Sequence, residues 1–253
     1  METGAITQYV DVAQLVLYVF WAFFFGLIYY LLRENHREGY PMDPGRENGP
    51  KVEGWPPVPT PKTYKLSDGR ELQSPDLRRA DADFSAQPTH RWNGAPLEPV
   101  GNPLLAGVGA GAWSRRADVP DHLFDGSVKI VPLRNAPDFG VHVKDTDPRG
   151  LPVIGADGQQ AGTISDLWID QAEMMFRYLE VALPGGRSVL LPINFAKVKR
   201  TEVQVDAILA SQFADVPGLR TPGQVTLLEE EKIMAYFGAG SLYATPLRQE
   251  PLV

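Results

Sequence analysis

The chain has 253 residues, no cysteine and a formal net charge of −7. Without cysteine it can form no disulfide, thiolate metal site or iron–sulfur cluster, and its acidic surplus argues against nucleic acid, because phosphate backbones are bound by excess Lys and Arg. With 24 glycines and 23 prolines, the chain is predicted to be globular but rich in loops.

The first predicted element is a membrane-spanning helix over residues 12–32. This run carries no charge and would reach about 31 Å as a helix, the thickness of a hydrocarbon core. A signal peptide would need basic residues before the run and a cleavage site after it, and neither is present. Glu2 and Asp11 precede the run, whereas Arg33 and Arg37 follow it. The positive-inside rule therefore predicts that the N-terminus lies outside and the body in the cytoplasm.

Aromatic and basic side chains surround the inner end of this helix. Rings with one polar tip favour the headgroup layer, and arginines can meet lipid phosphates. We therefore predict a membrane-interface surface formed by Tyr29, Tyr30, Arg33, Arg37 and Tyr40. A second aromatic group lies within the helix and either packs against other helices or pigments or is simply compatible with lipid: Tyr18, Phe20, Trp21, Phe23, Phe24 and Phe25.

The segment after the helix is predicted to be irregular up to about residue 137. Residues 39–61 are dense in Pro and Gly, which excludes a helix or a central strand. Residues 62–72 predict a short hairpin, with Asp68 and Gly69 as a two-residue loop. The sequence GVGAGAW at 107–113 is a weak nucleotide-binding signal, and a loop is favoured because its third glycine has the wrong spacing.

Regular β-structure is predicted from about residue 150. Short strands are expected on either side of Asp157–Gly158 and of Pro184–Gly186, with a further strand at 203–205. Successive short strands joined by tight turns favour a small antiparallel barrel over a parallel sheet. Near the C-terminus, Thr226 and Glu229 predict a capping box for one short amphipathic helix, with Gly238 as its stop signal.

No motif of an independent enzyme is present, and neither a catalytic nor a metal site is predicted. The four histidines, His36, His90, His122 and His142, lack metal-ligand spacing. Carboxylates are dense near the predicted barrel edge, where Asp166, Asp170 and Glu173 precede Arg177. They could relay protons if one carboxyl group titrated near neutrality. The alternative is a solvated acidic face with a surface salt bridge.

Several long stretches resemble the H subunit of the purple-bacterial photosynthetic reaction centre. They include REGYP directly after the apolar run, GNPLLAGVGAGAW, DTDPRGLPV, AGTISDLWID and VTLLEEEKIMAYFGAGSLYATP. The similarity covers essentially the whole chain. It implies a single-pass protein of the bacterial inner (intracytoplasmic) membrane with periplasmic residues 1–11, a transmembrane helix at 12–32, an irregular lead-in at 33–137 and a cytoplasmic PRC-barrel domain with a C-terminal helix at 138–253.

The resemblance also implies a non-catalytic role. The H subunit caps the L and M subunits, supports assembly, shields the quinones and iron, and conducts protons to the secondary quinone. It binds no pigment itself, whereas the complex carries bacteriochlorophyll, bacteriopheophytin, quinones and non-haem iron, with carotenoid and phospholipid also expected. Further candidate partners are membrane lipids, light-harvesting ring subunits and a cytochrome subunit. The alternative is a membrane-tethered PRC-barrel adaptor without a photosynthetic role.

The resemblance further implies roles for individual residues. Glu173 and Arg177 stand where the family keeps a carboxylate and its arginine near the proton route, and Asp170 and Asp125 match acidic members of that route. Where some relatives have a histidine pair, this chain reads Asp125-Gly126-Ser127-Val128. His122 is a candidate substitute as surface proton acceptor, and an ordinary exposed loop histidine is the alternative.

Overall fold

The structure is a computed structural model that describes residues 11–42, 52–67, 69–76, 84–92 and 95–248. The predicted segment outside the cytoplasm, residues 1–11, lies outside the described residues except for Asp11. Contacts divide the chain into two units, residues 1–81 with 91–95 and residues 82–90 with 96–253.

The first unit begins with helix α1 (Val12–Asn35). Its N-terminus is capped by Asp11, whose Oδ1 accepts a 2.7 Å hydrogen bond from the Gln14 amide, as short acidic side chains do at helix starts. No residue of α1 is buried, and the helix is long and apolar enough to cross a membrane. The predicted apolar helix is confirmed, and it continues past Leu32 because the polar residues that follow also tolerate helical geometry.

The first unit also contains an antiparallel hairpin of β1 (Lys62–Lys65) and β2 (Glu71–Ser74). The predicted hairpin is therefore confirmed, but the predicted two-residue loop is too short. The last strand pair is Lys65 with Glu71, and Leu66 still donates to the Arg70 carbonyl. Gly69 takes the left-handed conformation, φ 84°, which glycine adopts without steric cost. Asp68 lies outside the described residues.

The second unit is mainly β-structure. A small antiparallel pair, β3 (Ala86–Pro88) and β4 (Leu97–Pro99), precedes the principal sheet. The strands of the principal sheet are β5 (Ile130–Pro132), β6 (Pro152–Ile154), β7 (Gln160–Asp170), β8 (Met175–Ala182), β9 (Ser188–Pro192), β10 (Lys197–Val198) and β11 (Val203–Gln204). Their order is β10-β11-β6-β7-β8-β9, and β5 also pairs with β7. Every pairing is antiparallel except the short one between β11 and β6.

Strands β3 and β4 differ from the sequence expectation, because they lie within the stretch predicted to be irregular, and so does β5, which joins the principal sheet. The three residues of β5 pair with the end of β7, and Ile130 is opposite Asp170. So short a segment, ending at Pro132, shows no alternation that could identify it in advance. Its pairing with β7 depends on a neighbour about 40 residues away in sequence, which local propensity does not encode.

The core of the second unit lies between the principal sheet and helix α2 (Leu227–Tyr243). The sheet contributes buried aliphatic side chains such as Leu167, Leu179 and Leu191. From α2, Phe237 packs its ring 5.7 Å from that of Phe195 and 5.9 Å from that of Phe213, measured between centroids. This apolar burial is the main stabilising term of the unit.

Helix α2 confirms the predicted capping box but contradicts the predicted stop at Gly238. Thr226 Oγ1 accepts from the Glu229 amide and the Glu229 side chain accepts from the Thr226 amide. The helix then runs through two glycines to Tyr243. A Cβ at Gly238 would lie 2.8 Å from the Ala110 carbonyl oxygen, and one at Gly240 would lie 2.5 Å from that of Ala207. These glycines therefore permit close packing within the fold and do not end the helix.

Candidate functional site

Asp170, at the end of β7, is the centre of a charged cluster in the second unit. Its side chain is fully buried. Its Oδ1 accepts two 3.0 Å hydrogen bonds, from the amides of Ala172 and Glu173, and so holds the turn between β7 and β8. Its Oδ2 has no hydrogen-bond partner among the described residues but faces two cations, Lys129 Nζ at 3.6 Å and Arg177 Nε at 3.4 Å.

Lys129 joins this cluster to a second carboxylate. Its ammonium group lies 3.4 Å from Asp121 Oδ2. Although desolvation acts in the opposite direction, the charge of Asp170 and the hydrogen bond to Asp121 raise the pKa of Lys129 above its ordinary value. Lys129 is therefore a firmly cationic link between one buried and one partly exposed carboxylate.

Glu173 and Arg177 both lie beside Asp170, but the two are not paired with each other. The ion pair of Arg177 is with Asp170. Among the residues that the structure describes, the exposed Glu173 side chain makes no hydrogen bond or ion pair, yet its charge also acts on Lys129. Glu173 therefore presents its carboxylate to solvent at the edge of this cluster.

His122 and Asp125 lie on a neighbouring exposed loop. His122 pairs with Val128 in an isolated β-bridge, and the Lys129 amide donates to the Asp121 carbonyl, so the loop leads into the charged cluster. Asp125 Oδ1 accepts from the Ser127 hydroxyl at 2.6 Å and the Ser127 amide at 2.9 Å. These hydrogen bonds lower the pKa of Asp125, because they favour the charged form.

A polar cavity of about 310 Å³ lies on the other side of Arg177. In its wall the Tyr178 hydroxyl donates a 2.8 Å hydrogen bond to Glu230 Oε2. Burial raises the pKa of Glu230, and the Tyr178 hydrogen bond and the charges of Arg177 and Arg116 oppose this shift. A carboxyl group with a raised pKa in a cavity wall holds its proton to a higher pH than an exposed glutamate does.

Lys129 and Glu230 were missed by sequence reasoning. Glu230 stands in an acidic run that suggested only a helix N-terminus, yet it precedes Ile233, Met234 and Phe237 by three, four and seven residues. It therefore lies on the apolar stripe of α2, and a carboxylate on such a stripe could have marked it. Lys129 offers no such signal, because its buried partner Asp170 is about 40 residues away in sequence.

Asp166, which the sequence grouped with Asp170 and Glu173, belongs to a different network. Arg134 donates hydrogen bonds to Asp166 Oδ2 at 2.8 Å and to Glu180 Oε2 at 2.9 Å. The indole Nε1 of Trp168 also donates to Glu180 Oε2, at 2.9 Å. The proximity of Asp166 in sequence therefore does not make it part of the Asp170 cluster.

The predicted membrane-interface residues lie in the first unit and differ in their surroundings. Tyr29 and Tyr30 are exposed, Arg33 and Tyr40 are half-buried, and Tyr40 stacks on the buried His36 with centroids 4.1 Å apart. The Arg37 side chain is only 9% exposed. It donates to the carbonyls of Thr60 and Ser74 and to Glu34. Arg37 therefore joins segments of the unit internally.

Among the described residues, no group of three or more His, Asp or Glu side chains is arranged to hold a metal ion. Arginine and lysine are instead the partners of the clustered carboxylates. Ion pairs of this kind stabilise the charged forms of the carboxylates.

The fold and this site define the class of protein. Residues 141–212 match the PRC-barrel domain family, in agreement with the half-barrel sheet of short antiparallel strands. Residues 4–135 match the family described as photosynthetic reaction centre, H-chain N-terminal region.

Because this second match covers more than half of the 253 residues, the chain belongs to the photosynthetic reaction-centre H-chain family. It is a membrane-anchored subunit of a photosynthetic reaction centre, and membership in this family implies association with the L and M subunits. The match extends over the anchor and the lead-in, outside the PRC barrel, which separates this chain from a barrel-containing adaptor.

Proposed function

We propose that this chain caps the L and M subunits on the cytoplasmic side of the bacterial inner membrane, stabilises their assembly and shields the quinone and iron region from water. The asymmetry of flanking charge supports a periplasmic N-terminus. Arg33 and Arg37 follow the apolar run, whereas the charged side chains before it are the acidic Glu2 and Asp11. The role is accessory, and light-driven chemistry takes place on the partner subunits.

The cofactors belong to the assembled complex. Bacteriochlorophyll, bacteriopheophytin, quinones, non-haem iron and carotenoid are carried by the partners, with phospholipid bound around the anchor. The exposed Tyr29 and Tyr30 and the half-buried Arg33 support a lipid-contacting role for the inner end of α1. Light-harvesting ring subunits and a cytochrome subunit are further partners in this proposal.

The chain also conducts protons from the cytoplasm to the secondary quinone. The observation that carries this part of the proposal is the connected set of ionisable groups around Asp170. Asp121, Lys129 and Asp170 follow one another at 3.4 and 3.6 Å. The exposed loop with His122 and Asp125 leads into this set, and Glu173 lies at its other side.

The members of the set have different tasks. Asp170 is held by two amides and two cations, so it fixes the turn and orients Arg177. Glu173 has an exposed carboxylate that can accept and release a proton. Asp125 stays charged and attracts protons to the surface loop, where His122 is the acceptor, and Glu230 offers a further protonatable group across Arg177.

The test of proton conduction is Glu173→Gln in the complete reaction centre. Glutamine keeps the size of the side chain but cannot carry a proton, so the proton-coupled second electron transfer to the quinone should slow by about tenfold or more. The first charge separation should be unchanged. Flash spectroscopy and a pH-indicating dye measure both steps, and Glu202→Gln in an exposed pair with Lys199 is the matched control.

Unchanged flash-induced proton uptake in Glu173→Gln would remove Glu173 from the route. His122→Ala tests the surface acceptor separately. The variant should slow flash-induced proton uptake when parent and variant are compared at several pH values. His142→Ala is the control, and identical profiles for parent and His122→Ala would dismiss His122.

A further inference from the structure

The polar cavity beside Arg177 contains two guanidinium groups whose hydrogen-bonding capacity is largely unused. Arg116 and Arg177 both line it, together with Asn194, Tyr178, Glu230 and Glu231. The nearest carboxylate oxygens are 3.7 Å from Arg116, on Glu231, and 3.4 Å from Arg177, on Asp170. Within the described residues neither guanidinium donates a hydrogen bond, although each carries five N–H donors.

Both guanidinium groups act on the same residue of the cavity wall, because the charges of Arg177 and of Arg116 each lower the pKa of Glu230. Paired arginines with free donors are the arrangement that recognises carboxylate and phosphate oxygens in proteins. The volume of about 310 Å³ accommodates such a group with accompanying water.

We propose that this cavity binds a small oxyanion, a carboxylate or phosphate group, between Arg116 and Arg177, with the amide of Asn194 as an additional donor. This anion site goes beyond the capping and proton-conducting roles, and it shares Arg177 and Glu230 with the proposed proton route.

Binding of the anion is linked to protonation of Glu230. The Tyr178 hydrogen bond and the charges of Arg177, Arg116 and Asp121 act on that carboxyl group, and Glu231 lines the same cavity. When Glu230 holds a proton, the two arginines face less negative charge and attract the anion more strongly. When Glu230 ionises, its charge competes with the anion. Affinity therefore falls as the pH rises through the titration of Glu230, and anion binding in turn promotes proton uptake there.

The direct test is calorimetric titration of the full chain in detergent micelles with inorganic phosphate and with acetate, at low ionic strength. We expect saturable binding at one site. Arg116→Gln should weaken it by about tenfold or more, because it removes charge-assisted hydrogen bonds. Arg149→Gln is the matched control, since Arg149 pairs with Asp147 away from the cavity. Arg116 is the preferred target because Arg177 also supports Asp170.

A second variant tests the linkage. Glu230→Gln should keep anion binding and lose its pH dependence. A parallel titration with vesicles of phosphatidylglycerol and phosphatidylcholine distinguishes a lipid headgroup from a free ion. A headgroup site would bind the vesicles but not the free ions. Vesicle binding at this site should also be weakened by Arg116→Gln. The proposal is overturned if Arg116→Gln binds free anions and vesicles as well as the parent does. It is also overturned if the parent binds neither the free anions nor the vesicles.

Discussion

The hydroxyl of Tyr178 on β8 donates a 2.8 Å hydrogen bond to a carboxylate oxygen of Glu230 on α2. This bond joins the sheet to the helix at the wall of the polar cavity. Burial raises the pKa of both groups, and for Tyr178 the charge of Glu230 adds to the effect. The proton therefore stays on the tyrosine, while the carboxyl group is the member of the pair that titrates.

Replacing the titratable carboxyl group of Glu230 should change how the free energy of unfolding depends on pH. The pKa of Glu230 is raised in the folded chain, so the folded state keeps a proton that the unfolded state has released. Its contribution is present below the ordinary value of 4.5 and is lost as the pH rises through the folded pKa. In Glu230→Gln this decline should be absent. Urea unfolding of the full chain in detergent at several pH values measures it.

Glu202→Gln is the control for this measurement, because its exposed pair with Lys199 lies elsewhere. Parallel stability curves for the parent and Glu230→Gln across this pH range would contradict the assignment.

Removing the Tyr178 hydroxyl, which donates to Glu230, should destabilise the folded chain directly. In Tyr178→Phe the buried ring remains, but the bond to Glu230 is lost, and the expected cost is about 1–3 kcal/mol of unfolding free energy. The pKa of Glu230 should rise further, because the Tyr178 hydrogen bond lowers it. Urea unfolding measures the first effect. Tyr64→Phe on the exposed face of β1 is the control, and equal losses in both variants would contradict a specific role for the bond.

The N-terminus of α2 depends on Thr226. Its hydroxyl accepts from the Glu229 amide at 3.1 Å and donates to Asp118 at 2.8 Å. Thr226→Ala removes both contacts and should cost about 1–2 kcal/mol. Thermal unfolding followed by circular dichroism measures the loss. Thr201→Ala, at an exposed position, should have little effect, and a Thr226→Ala protein as stable as this control would refute the capping assignment.

Gly240 should resist even the smallest substitution. Alanine favours a helix over glycine by about 1 kcal/mol, but a Cβ at Gly240 would lie 2.4 Å from Ile208 Cγ2 and 2.5 Å from the Ala207 carbonyl oxygen. Overpacking of this kind costs roughly 1–3 kcal/mol, so Gly240→Ala should lower the melting temperature. Ser241→Ala, exposed on the same helix, controls for propensity, and a stabilised Gly240→Ala chain would overturn the packing argument.

Arg37 and Arg33 should behave differently although both follow the apolar run. Arg37 donates to two carbonyls and to Glu34, so Arg37→Met should loosen the first unit and expose residues 62–74 to limited proteolysis. The matched Arg33→Met should leave proteolysis unchanged and weaken association with anionic lipid. Equal proteolysis rates for Arg37→Met and the parent would contradict the internal role of Arg37.

Local signals explain the elements that could be predicted. The apolar run of α1, the turns at Gly158 and at Pro184–Gly186, and the Thr226–Glu229 capping box each depend on residues close in sequence. Backbone propensity, glycine in left-handed turns and helix capping act over such short distances, so these features are readable before any tertiary contact is known.

Long-range contacts explain the errors. Gly238 has the identity of a helix stop, but Gly238 and Gly240 lie within α2 and allow close approach to the Ala110 and Ala207 carbonyls. Asp166 and Asp170 are close in sequence, but they bind different cations on different parts of the sheet. Register shifts between β7 and β8 are not readable from a strict two-residue alternation.

The sequence by itself determined that this chain has one apolar anchor, a body of short strands and the motifs of a reaction-centre H chain, because those properties reside in composition, periodicity and contiguous residues. Only the tertiary structure decided that Asp170 pairs with Lys129 and Arg177, that Glu230 faces Tyr178 across a cavity, and that Arg37 binds within its own unit. Such pairings depend on which distant segments fold against each other, and burial and charge at each site follow from that arrangement.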